Sequence, residues 1–184
     1  MGFFVCWTPH HTTIMCFDLP QHFQMAFQST LTSSKDNVEL SDPYAVFTVL
    51  LYQMISLYDN SVWSIRNHIC DWEAVRFSIP TMSYPPLLTE WPQMRQKEPD
   101  YPLLHEIARH AIHVGETLTV ALQSVKDLQQ QHRDFMAVHI QSNNSWQQNH
   151  SPLQFPLRLL EGLFSRSESN KARLENETLL VSSN

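Results

Sequence analysis

Glycine is scarce in this chain, with three among 184 residues, and that scarcity argues against a turn-rich all-β fold. Cysteine is sparse as well. Cys6, Cys16 and Cys70 are odd in number and show neither CxxC nor CxxxH spacing, so a reduced, cytosolic setting fits better than a disulfide framework. There is no dense basic cluster to track phosphates along a strand, and 18 acidic against 12 basic residues give a net charge of -6, which argues against nucleic acid as a partner. Long apolar runs are also missing. The most apolar stretch, Tyr44 to Tyr58, is interrupted by Thr48, Gln53 and Ser56, and it falls short of the roughly 20 residues that span a bilayer. The run from Gly2 to Val5 is too short and lacks the basic flank of a signal peptide. No phosphate loop, no Gly-x-Ser-x-Gly and no paired catalytic carboxylates are present, so the expectation is that the chain is not an enzyme.

What remains is enough for one domain with a real core, or one core plus a tail. Ten histidines stand out, because protonating all of them would carry the chain from -6 to +4. Surface charge should therefore respond to mild acid more than in most proteins.

The patterning predicts a mainly α fold: a long antiparallel helix pair, a third stalk-like helix and a short N-terminal β-hairpin. Residues 1–40 are expected as hairpin and loop, and residues 41–184 as the three-helix module. The hairpin pairs Phe3-Phe4-Val5-Cys6-Trp7 with Thr12 to Phe17 around a turn at Thr8-Pro9-His10-His11, in a register that sets Cys6 opposite Thr13 and Cys16 opposite Phe3. A lone hairpin is marginal in water, so it should rest on other elements. The first helix, about 42–77, takes Asp42 as its cap and Pro43 in its first turn, with Phe47, Leu51, Met54, Tyr58, Val62, Ile65, Ile69 and Trp72 on one face. A Pro-rich connection at 78–102 carries six prolines and is expected to be extended, with Tyr84, Leu87, Leu88 and Trp91 packing part of it down.

The second helix, 101–139, is the clearest, capped by Asp100 and striped by Leu104, Ile107, Ala111, Val114, Leu118, Ala121, Val125, Leu128, His132 and Phe135. That alternation of threes and fours commits it to a long partner, with the first helix the candidate. A polar stretch, Gln141 to Ser151, precedes the third helix at 152–181. Its charged second half continues the apolar seam only through Leu174 and Val181, so the last four turns are expected to be solvated unless another subunit covers them.

Three strings then carry a likeness. They are Tyr58-Asp59 with Trp63, Arg66, Glu73 and Arg76; Leu104 through His113 with Glu116-Thr117-Leu118; and Arg166-Ser167 through Glu177. In this order they resemble the fungal CorA-like magnesium-transporter family, and Cys6-Trp7 and Cys16-Phe17-Asp18 fit the strand pair that precedes the helices there. The resemblance implies a cytosolic helix pair and a stalk helix leading to two membrane spans in a homopentamer. The Gly-Met-Asn signature and the spans are not in this sequence, so no independent transport is expected of it. The partners implied are a second copy or a related full-length CorA-like protein. The cofactor implied is magnesium or another divalent cation, and the setting is cytoplasmic, peripheral to a membrane through a partner.

Individual residues admit other chemistry. Glu106, His110 and His113 share a helical stripe with donors suited to a divalent metal, while polar or inter-helix hydrogen bonding is the plainer role. Glu73 and Arg76 are candidates to pair with Arg109 or Glu116 across the helix hairpin, fixing its register. Trp63 and Trp72 read as core and seam anchors. His68, two residues from Cys70, points elsewhere on a helix and is poorly placed to activate the thiol. Two alternatives to the transporter-like reading therefore stand: a helical protein-interaction adaptor, and a small metal-binding protein or hydrolase using Glu106, His110 and His113.

Overall fold

Alternating apolar residues in two short stretches make the first element pair. In the computed structural model, which describes residues 1–8, 11–33, 42–77, 100–139 and 153–182, strands β1 (Gly2–Thr8) and β2 (His11–Phe17) form an antiparallel hairpin. Its register sets Cys6 opposite Thr13 and Phe3 opposite Cys16, as the sequence predicts, and all three cysteines are free. Asp18, with φ 55°, ends β2 in the left-handed region, which aspartate tolerates better than most residues.

Among the described residues four helices follow: α1 (Gln21–Ser33), α2 (Ala45–Phe77), α3 (Tyr101–His139) and α4 (Gln154–Ser182). The mainly helical architecture with a short hairpin matches expectation, and α3 matches to the residue. Asp100 caps α3, its Oδ1 accepting from the Leu103 amide at 3.1 Å. At the start of α2, Asp42 Oδ1 accepts from the Tyr44 amide at 2.8 Å. That contact closes a turn over residues 42–44 before the helix proper, so α2 begins at Ala45, two residues later than the cap position alone suggests. The Pro9-His10 turn, the connection at 78–99 and the polar stretch at 141–151 lie outside the described residues.

Helix α1 is the element that the sequence reading did not anticipate; it occupies part of the loop expected within residues 1–40. It has no capping side chain and is rich in Gln, Ser and Thr, so only Phe23, Phe27 and Leu31, four residues apart, mark its face.

The chain forms two compact units, residues 1–59 with 118–163 and residues 60–117 with 164–184. This division cuts across the expected split at residue 40, because each long helix contributes to both units. In the first unit, Phe23 and Phe27 of α1 pack with Val49 and Leu50 of α2, and Phe3, Val5 and Ile14 of the hairpin close over them. The hairpin thus rests on α1 and α2. Helix α1 buries Val49 and Leu50 of α2, with Phe47 and Met54 of the expected stripe packed half-buried against the same cluster; Val46 and Ile55 are also buried, and Leu51 and Tyr58 are half-buried. In the second unit, Ile65 and Ile69 of α2 meet Leu104, Ile107 and Ala111 of α3, with Leu174 of α4 in the same cluster. The late part of α2 thus packs on the early part of α3, the arrangement of an antiparallel pair.

One expectation is overturned. The charged second half of α4 is not solvated on all sides: Ser167, Asn170, Leu174 and Glu177 are all buried by the chain itself. Their spacings of three, four and three make a single helical stripe. The reading missed it because three of its four members are polar.

No helix among the described residues is long and apolar enough to cross a membrane.

Candidate functional site

The second unit holds the residues singled out for chemistry. On α3, Glu106 and His110 stand one turn apart, with Glu106 Oε1 3.1 Å from His110 Nε2. Arg109 bonds the other carboxylate oxygen of Glu106. Both oxygens are therefore engaged by the same helix, and the Arg109 hydrogen bond, with the charges of Arg109 and His110, holds the carboxyl below its ordinary 4.5. His113 is exposed, and no three His, Cys, Asp or Glu side chains among the described residues group to hold a metal. Of the three candidates, the structure joins two.

Beside this pair runs a groove of about 600 Å³ between α2 and α3. Ile65, Ile107 and Val114 line it together with His68, Glu106 and His110. His68 is the member that sequence reasoning missed here, having been weighed only against Cys70. The α2/α3 antiparallel pairing was the signal that could have placed it opposite Glu106.

Arg173 of α4 is the central polar contact of the seam. Its Nε donates to Glu73 Oε1 at 3.1 Å and its Nη2 to Glu73 Oε2 at 2.5 Å, while Nη2 also lies 3.7 Å from Cys70 Sγ. These contacts, the Glu73 hydrogen bond first, raise the pKa of the guanidinium still further. Glu73 therefore pairs with α4 and not with Arg109, which is taken by Glu106; the side chain of Arg76 lies outside the described residues. A turn away, buried Asn170 donates its Nδ2 to the Val62 carbonyl at 3.1 Å. Trp72 packs against the Ile65–Leu104 cluster as expected. Trp63 differs: it is 37% exposed and lies under the guanidinium groups of Arg66 and Arg166.

The first unit contains a separate polar contact in an aromatic setting. His132 Nε2 sits 3.1 Å from Asp42 Oδ2, and the Tyr44 ring contacts both neighbours on α3, its centroid 5.0 Å from that of His132 and 5.9 Å from that of Phe135. Burial, then the charges of Asp42 and Asp134, push the Tyr44 phenol up. Asp42 was legible as a cap and His132 as a seam position, but not their meeting.

No protein-family model, curated protein or solved structure matches this chain.

Proposed function

We propose that the chain is a helical association module akin to the cytosolic helix pair and stalk base of CorA-like divalent-cation transporters, without transport or catalytic activity of its own. The supporting observation is convergence. Residues from the three strings that carry the resemblance meet in the second unit: Glu73 with Arg173, Trp63 and Arg66 with Arg166, and Leu104, Ile107 and Ala111 with Leu174. Half-buried polar contacts between packed helices fix their register more surely than they add stability. In this reading the module works in the cytoplasm, at a membrane only through its partner. That partner is a second copy or a related full-length protein, and magnesium tunes the association.

A stand-alone helical adaptor is the second reading. One observation favours it: the α4 seam at Ser167, Asn170, Leu174 and Glu177 is covered by the chain's own residues, so no second subunit is needed to bury it.

Light scattering of the purified protein with and without millimolar magnesium separates the two. A discrete oligomer that shifts with magnesium supports the transporter-like module. A monomer indifferent to the ion removes that reading and leaves the adaptor.

A further inference from the structure

Trp63 of α2 carries two cations. The guanidinium carbon of Arg166 on α4 lies 4.2 Å from the indole centroid, and that of Arg66, one turn along α2, lies 5.1 Å from it. Two like charges are thereby held within roughly a Debye length of each other, a repulsion that the indole face offsets in part and that a bound anion would relieve further. Stacking on an indole face orients a guanidinium and leaves its in-plane N–H donors unspent.

Among the described residues, neither arginine has a carboxylate partner. Glu73, on the same stripe of α2, is unavailable because Arg173 engages both of its oxygens. The patch is thus locally positive in a chain of net charge -6. Asn67 and Ser169, one turn on from Trp63 and Arg166 respectively, are exposed and add neutral donors at its edge.

We infer that Arg66 and Arg166, spaced by Trp63, form a binding site for a soluble phosphomonoester. A carboxylate has two oxygens, which a single guanidinium fork satisfies. Two forks call for an anion with more acceptors and more charge, and a phosphomonoester supplies three terminal oxygens and a charge of about -1.5 to -2 at neutral pH. This inference goes beyond the association reading and does not depend on it, since it concerns a surface present on one copy.

The experiment is calorimetric titration of the full chain with inorganic phosphate and with glycerol phosphate, against acetate at matched ionic strength. Saturable phosphate and glycerol-phosphate binding in the millimolar range is expected, with no acetate binding. The Arg66→Gln/Arg166→Gln pair should weaken it at least tenfold, about 1.4 kcal/mol. The Arg66→Lys/Arg166→Lys pair keeps both charges but lacks the forks, and should also bind weakly. Thermal melts check that both double variants fold, since Arg166 is exposed and Arg66 half-buried. Equal binding by wild type and the Gln pair, equal binding by the Lys pair, or an acetate response as large as that of phosphate would each overturn the site. Vesicles containing phosphatidic acid form a further arm. Arginine-dependent vesicle binding without binding of free phosphate would overturn a soluble ligand in favour of a lipid headgroup.

Discussion

Arg173 and Glu73, one hundred residues apart in the chain, are joined by two parallel hydrogen bonds that tie the second half of α4 to α2. The side chains are 32% and 24% exposed, so the pair is shielded enough to count and wet enough not to carry a full burial penalty. Glu73→Gln and Arg173→Gln should each lower unfolding free energy by roughly 1–2 kcal/mol. A double-mutant cycle in urea should return a coupling of about 1 kcal/mol. Simple additivity of the two single losses would mean that the contact contributes nothing specific.

Asn170 is 3% exposed and gives its amide hydrogen to the Val62 carbonyl. Asn170→Ala removes a donor and some packing, at a cost of about 1–2 kcal/mol. Asn170→Asp should cost more, because it sets a carboxylate against a carbonyl oxygen in a buried place and replaces attraction with repulsion. Chemical denaturation at neutral pH checks the order. An Asp variant as stable as the Ala variant would show that the site is open to water.

Gly115 lies inside α3, where glycine costs up to about 1 kcal/mol relative to alanine. Its φ is not positive, so the position does not need glycine's conformational range. A Cβ there would meet Glu168 Oε1 and Ser167 Oγ at 3.6 Å, ordinary van der Waals contact. Gly115→Ala should therefore stabilise the protein by about 0.5–1 kcal/mol and raise the melting temperature. Gly115→Leu should lower it, since α4 is seated against that position. Destabilisation by alanine would mean that the approach of α4 is tighter than described.

Glu106 offers a test by pH. Its carboxyl is held below 4.5 in the folded chain, so the unfolded chain binds a proton there more readily as acid is added. The stabilisation from its contacts with Arg109 and His110 is thus present above the ordinary value and fades as pH falls through the depressed folded value. The melting-temperature gap between wild type and Glu106→Gln should be present at neutral pH and close as pH falls below about 4.5. A gap that keeps widening below that value would reverse the assigned sign.

The sequence alone determined the helical class, the hairpin register and the full extent of α3. Each follows from local regularity: alternation in β1 and β2, and an unbroken three-four stripe from Leu104 to Phe135 with Asp100 as its cap. Those signals lie within one element and survive any arrangement of the others. Tertiary structure alone decided which side chains meet across the chain. Helix α1 carries only Phe23, Phe27 and Leu31 as its mark, and the face of α2 it takes shifted the burial pattern there. The polar seam of α4 was invisible because Ser167, Asn170 and Glu177 read as solvent-facing until α2 and α3 supply partners and cover. The same holds for the site. Glu106 and His110 were legible as an (i, i+4) pair, whereas His68, and the stacking of Arg66 and Arg166 on Trp63, required residues distant in sequence to be brought together. Helical periodicity specifies which face of a helix is apolar, but not which polar side chain on another helix will stand opposite.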